Sequence, residues 1–257
     1  MTTLEAAPTG LGAFYRELFA DPVLRAFYGD SGYANFGYWR PGTRTAAEAG
    51  DNLVDALLDR VGTRPRTVLD VACGAGATTR RLGIRLGGAS ITGIGISGAQ
   101  LAAARRRAPG ARFVCMDATH LGFANGSFDA VVCVEAAFHF VTRARFFVEA
   151  FRVLAPGGSL VLSDVLMARG TPLTPPANHL RDASDYARLL PRTGFREVTV
   201  TDATSDTWHP YRRRLTGFIA ERSFPRAIGL RDLFMANVAF AWAVRQYVVV
   251  AARKPVG

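Results

Sequence analysis

The chain has 257 residues, 49% of them apolar, with a formal net charge of +10 and an isoelectric point near 10.3. That length suits one enlarged α/β domain or a core with a cap, and the composition excludes a disordered or low-complexity chain. Lys254 is the only lysine among 31 basic residues, so the charge reads as an arginine-rich solvated surface and not as a nucleic-acid footprint.

In chain order, residues 11–60 read as a helical lead-in, interrupted by the glycine- and aromatic-rich segment 32–39. From Thr67 onward apolar runs alternate with helical patterns at βαβ spacing. Strands are expected at 67–71, 90–96, 111–116, 128–134, 159–165, 196–204 and 247–253. Helices are expected at 77–86, 99–108, 143–154 and 184–190, the third stopped by Pro156-Gly157-Gly158. Residues 207–243, rich in helix formers and aromatics, read as a helical lid insertion. The expected division is a helical N-terminal cap segment, 1–66, and a core, 67–257. The fold expected is a doubly wound, Rossmann-like, seven-stranded α/β sheet, whose last two strands could pair antiparallel at one edge.

Cys73, Cys115 and Cys133 lack CxxC spacing and read as small buried hydrophobes. No basic-then-apolar leader opens the chain, and the apolar stretch 233–250 is broken by Asn237, Arg245 and Gln246. The expectation is a cytoplasmic monomer or homodimer acting on a small molecule, with no nucleic-acid or membrane partner.

The richest segment is Thr67-Val68-Leu69-Asp70-Val71-Ala72-Cys73-Gly74-Ala75-Gly76. An apolar run ends in a carboxylate, and two glycines then open a helix, a turn that lets backbone approach a small ligand. A dinucleotide site wants a third glycine and an acid closing the second strand. Thr79 stands at the first place, and Gly93-Ile94-Gly95-Ile96-Ser97 carries no carboxylate at the second. No Gly-Lys-Ser/Thr phosphate loop occurs.

The ordered set of that turn, Thr92–Ser97 with Gln100, Asp117-Ala118, Gly126-Ser127-Phe128-Asp129 and Arg152–Gly158 resembles the class I S-adenosylmethionine-dependent methyltransferases. It is most similar to bacterial natural-product enzymes of that family, and residues 33–39 are similar to an element of tocopherol and sterol methyltransferases. The resemblance implies S-adenosylmethionine as cofactor and S-adenosylhomocysteine as product. It implies that Asp70, Gly74 and Gly76 hold the methionine end, that Ile96, Ser97 and Gln100 meet the ribose, and that Asp117 and Ala118 meet the adenine. Glu135 would face the cofactor from the opposite wall, with Tyr33 and Trp39 near it. Asp117 as a turn cap and Glu135 as a solvated strand end are the alternatives.

Methyl transfer to a hydroxyl needs a proton acceptor, and His139 and Asp164 fall at strand ends facing the crevice, an imidazole with a carboxylate to orient it. Related sugar O-methyltransferases have a His-His pair where this chain has Phe138-His139, and local packing is the alternative for His139. No metal-ligand spacing appears, so no metal is expected. Trp208, Tyr211, Phe218, Phe224, Phe234, Phe240 and Trp242 populate the expected lid and favour an apolar acceptor. O-methylation is the leading expectation. C-methylation, a cofactor-bound cyclisation or pericyclic step, and a non-catalytic binder stand beside it.

Overall fold

A computed structural model of the chain describes residues 21–222 and 242–256. Its frame is a seven-stranded sheet in the order β3-β2-β1-β4-β5-β7-β6. The strands are β1 (Thr67–Val71), β2 (Ser90–Gly95), β3 (Arg112–Cys115), β4 (Phe128–Val134), β5 (Leu154–Met167), β6 (Arg196–Asp202) and β7 (Val244–Arg253). β1 to β5 pair in parallel, and β7 runs antiparallel between β5 and β6. The chain winds outward from β1 to β3, then returns to begin β4 on the other side of β1. Order therefore reverses between β1 and β4, and in such sheets the crevice beyond the carboxyl ends at that reversal receives ligands.

The helices are α1 (Pro22–Tyr28), α2 (Ala46–Leu58), α3 (Ala77–Leu86), α4 (Gly98–Arg107), α5 (Arg143–Val153), α6 (Ala183–Thr193) and α7 (Trp208–Arg222). Their starts follow from local chemistry. Asp21 accepts from the amides of Val23 and Leu24 at α1, Thr45 from Glu48 at α2, and Thr142 from Arg145 at α5. The lead-in is helical on both sides of its aromatic segment, as expected; its residues 11–20 lie outside the described residues. So do residues 223–241 of the expected lid, with Phe224, Phe234 and Phe240 among them. α7 and residues 242–243 are the described part of that stretch, and Trp242 is exposed there.

β5 begins at Leu154, five residues earlier than its apolar run indicated. Pro156-Gly157-Gly158 is a bulge inside the strand's start and not a stop: Gly157, at φ 76°, donates to the carbonyl of Lys254, and the register against β4 shifts there.

Period-2 alternation divides the core between the two sheet faces. Val68, Val132 and Val161 face α2 and the lead-in, with Tyr33, Phe36, Leu53 and Leu57. Leu69, Val131 and Leu160 face the other layer, with Phe146, Phe147, Tyr186 and Phe195. The lead-in thus shares one core with the sheet. Cys73 and Cys133 are buried as expected, but Cys115 is exposed, because it ends β3, a four-residue strand at the edge of the described sheet. No helix among the described residues is long and apolar enough to cross a membrane.

Candidate active site

The turn after β1 is built from left-handed backbone. Ala72, Gly74 and Gly76 have φ of 56°, 52° and 84°, a reversal tight enough to start α3 directly at the strand end. The two glycines do different work. A Cβ on Gly74 would meet nothing within 4 Å, so this position borders open space at the crevice. A Cβ on Gly76 would lie 2.8 Å from Ala104, so this glycine lets α3 pack on α4. Gly76→Ala is therefore expected to destabilise the fold by about 1–3 kcal/mol, read from the denaturant midpoint.

Asp70, beneath that turn, is 1% exposed and accepts from the Thr79 hydroxyl at 2.6 Å. Burial pushes its carboxyl up to about 7, against the lowering effect of the Thr79 bond. Arg107, on α4, donates to the carbonyls of Ala75 in the turn (2.6 Å) and Asp30 in the lead-in (3.3 Å), tying the two together. Ile96, just past β2, is 51% exposed, an apolar side chain left open at the crevice. Ser97 caps α4 by accepting from the Gln100 amide at 3.4 Å. Asp117 is exposed, and its Oδ1 accepts from the amide (2.7 Å) and hydroxyl (2.9 Å) of Thr119, so one of its oxygens does cap the following turn. Ala118 beside it is buried.

Across the crevice Glu135 follows β4 with φ 46°. Its Oε1 accepts from the Phe36 amide at 2.8 Å and the Tyr247 hydroxyl at 2.7 Å. Burial pushes this carboxyl up to about 8, so it is no solvated strand end. The lead-in reaches the strand ends through Phe36. Tyr33 instead donates to Asp51 on α2 at 2.7 Å, and Trp39 donates to the Phe36 carbonyl at 2.8 Å beneath the Arg214 guanidinium. Tyr33 is thus held by α2, and Trp39 by the segment itself and by α7. Phe36 stands 4.7 Å from Tyr211 and 4.8 Å from Trp208, centroid to centroid, so α7 closes an aromatic cluster over Glu135's partner.

His139 ends a short 3-10 turn, Ala137–His139, beyond β4. Its Nδ1 lies 2.8 Å from the carbonyl oxygen of Leu173, and its ring packs 3.8 Å from that of Phe138. Burial lowers its pKa to about 4, with the Arg143 charge acting in the same direction. Asp164 does not supply the expected orienting bond. It is fully buried, and its oxygens accept from the Phe138 amide (3.1 Å), Arg143 Nε (2.6 Å) and the Tyr186 hydroxyl. The guanidinium of Arg143, itself 2% exposed, takes the carboxylate's charge.

Sequence reasoning missed Arg143, Asn178, Tyr186, Tyr247 and Arg107. An arginine after a capping threonine looks like any helix start, and nothing in its neighbours marks it as buried. Among the described residues, Thr174 Oγ1 is buried without a protein partner one residue beyond Leu173. No group of three His, Cys, Asp or Glu side chains among the described residues is placed to hold a metal ion.

Comparison with known proteins agrees with the fold. A family described as "Methyltransferase domain" matches residues 69–162. The chain is 31% identical to the O-methyltransferase cnsE of Penicillium expansum, over 76% of this chain and 75% of that one. It is 28% identical to the erythromycin 3''-O-methyltransferase of Saccharopolyspora erythraea, over 96% and 91%. Among solved structures, the 4+2 cyclase SpnF superposes with a TM-score of 0.74 at 28% identity, covering 96% of each chain.

Proposed function

This chain belongs to the class I S-adenosylmethionine-dependent methyltransferases, and from that premise we propose that it methylates a hydroxyl of a small, largely apolar natural product. It is an enzyme of the natural-product type of that family, using S-adenosylmethionine. The open space at Gly74 and the exposed Ile96 fit such a cofactor: the glycine leaves room for a ligand backbone, and the isoleucine offers an apolar face to a flat ring. In this reading Gly74 and Asp70 hold the methionine end, with Gly76 keeping the turn closed on α4. Ile96, Ser97 and Gln100 border the ribose, and Asp117 Oδ2 with Ala118 meets the adenine. Glu135 faces the sulfonium side, and Tyr33 and Trp39 act by supporting the segment that brings Phe36 there. Bound in this way, the cofactor supplies a methyl group made electrophilic by its positive sulfur.

The observation that carries O-methylation is His139, held in the turn beyond β4 with its Nδ1 2.8 Å from the Leu173 carbonyl oxygen. As the acceptor oxygen took the methyl group and the methyl–sulfur bond broke to release neutral S-adenosylhomocysteine, His139 Nε2 would take the hydroxyl proton, with Nδ1–H kept on the Leu173 carbonyl. The remaining work is alignment of two reactants, worth roughly 7–11 kcal/mol in a closed site. Thr174 Oγ1 offers the acceptor a further polar contact, and the rings of Phe36, Trp208 and Tyr211 offer it an apolar one. The O-methyltransferase relatives support the same choice.

The likeness to a 4+2 cyclase favours one second reading, in which the cofactor binds and a substrate cyclises without methyl transfer. Incubation with methyl-labelled cofactor and candidate scaffolds separates them. The expected result is label on product oxygen with one demethylated cofactor per turnover; an isomerised, unlabelled product would reject methylation.

The two raised carboxyls give a second expected result. Burial raises both carboxyls, Glu135 to about 8 and Asp70 to about 7, so both hold protons more readily near neutral pH than ordinary carboxylates do. A cation arriving beside them favours their ionised forms, so cofactor binding releases protons and tightens as pH rises from 6 to 8. Calorimetry in buffers of different ionisation heat measures this release; identical apparent heats in all buffers would remove both carboxyls from the cofactor's surroundings.

A further inference from the structure

Asn178 lies on the connection between β5 and α6, is 3% exposed, and uses every polar atom of its side chain. Its Oδ1 accepts from the Arg143 amide at 2.6 Å. Its Nδ2 donates to the carbonyls of Ala137 at 2.8 Å and Phe138 at 3.1 Å, both in the turn that carries His139. The two ends of the amide are not interchangeable, since one faces an N–H and the other two carbonyl oxygens. The same turn is held from its other side by Asp164, which accepts from the Phe138 amide at 3.1 Å.

Five residues before Asn178, the same connection presents the Leu173 carbonyl to His139 Nδ1. A carbonyl only accepts, so Nδ1 carries the proton and Nε2 is the basic nitrogen. The connection is locally closed, with the Thr174 amide on the Thr171 carbonyl at 3.4 Å and the Asn178 amide on the Pro175 carbonyl at 2.8 Å. Arg143 anchors it from below: its guanidinium donates to the Asn178 carbonyl, to the Val165 carbonyl at 3.2 Å, and to Asp164. Turn, amide, connection and imidazole thus form one closed circuit.

We propose that Asn178 is the positioning residue for His139: by pinning the turn and the Leu173 carbonyl to each other, it sets both the orientation and the tautomer of the ring. The inference rests on the reading of His139 as the base for its catalytic meaning, but its geometric content can be read without turnover. Among the described residues, the charged and ring groups that bear on His139 include Arg143, whose charge is matched by Asp164, and the Phe138 ring.

The test is nitrogen-15 NMR of the His139 imidazole in the full chain, with Asn178→Ala and Asn178→Ser compared against the unaltered protein. Asn178→Ser keeps a hydroxyl for the Arg143 amide while losing the two bonds to the turn, and serves if Asn178→Ala does not fold. The expected result is a single Nδ1–H tautomer in the unaltered protein. In the variants a mixture of the two neutral tautomers appears, and kcat falls while the KM for S-adenosylmethionine holds. In a double-mutant cycle, Asn178→Ala on a His139→Gln background is expected to cost no further kcat. Unchanged ring signals in a folded variant, or fully additive losses in the cycle, would overturn the proposal. Turnover untouched by His139→Gln would overturn the base assignment alone, because the NMR arm reads the ring directly.

Discussion

Replacing His139 by glutamine lowers kcat by about 10²–10⁴-fold, the usual contribution of a positioned base, while the KM for S-adenosylmethionine stays nearly constant. Glutamine fills much of the ring's volume, but it cannot accept a proton at any useful pH. The pH dependence sharpens the expectation. With its pKa lowered to about 4, the ring is neutral and able to accept throughout pH 5 to 8. The unaltered enzyme therefore keeps its kcat at pH 5.5, where an ordinary histidine would be mostly protonated. Below that, activity falls as pH approaches 4. The glutamine variant has no such limb. A kcat measured from pH 4.5 to 8 that is the same in both proteins would remove His139 from the mechanism.

Arg143→Met is the substitution with the largest expected cost in stability, about 3–5 kcal/mol, because it strands a buried carboxylate. Arg143 and Asp164 are 2% and 0% exposed, so water does not replace the lost partner. The Asn178 and Val165 carbonyls also lose their donors. The companion change Asp164→Leu is expected to recover much of the loss, since the pair's own attraction is largely offset by its desolvation. Denaturant unfolding of the two single variants and the double variant measures this. A double variant no more stable than Arg143→Met would mean that the arginine's bonds to carbonyls, and not the ion pair, hold this region.

The frame of the fold was legible because it rests on repeated signals. Apolar runs bounded by Asn125-Gly126 and Pro109-Gly110 place β4 and the end of α4, and the alternation of Val68 with Leu69 assigns the two sheet faces. The start of β5 was not legible, because Pro156-Gly157-Gly158 has the composition of a turn and only pairing with Lys254 makes it strand. At the candidate site, the turn at Asp70 and Gly74 was legible from spacing, since a strand-to-helix turn repeats in sequence, and Ile96 only from the family resemblance. The two glycines looked equivalent, and only the approach of Ala104 separates packing from open space. Asp164 was drawn to His139 on position alone. Its true partner is 21 residues back in the chain, and a long-range ion pair leaves no periodic trace.

The insertion of β7 between β5 and β6 sets an order of events during synthesis. Among the described strands β6 lies at the sheet's edge and pairs with β7 alone, so it is synthesised before the neighbour that receives it. Until β7 arrives, the flanks of β5 and β6 both present unpaired amides and carbonyls, the pattern that invites association with other nascent chains. Removal of the last ten-residue strand would therefore leave two open flanks in one molecule, and aggregation on the polysome, rather than a merely inactive enzyme, is the outcome this topology predicts.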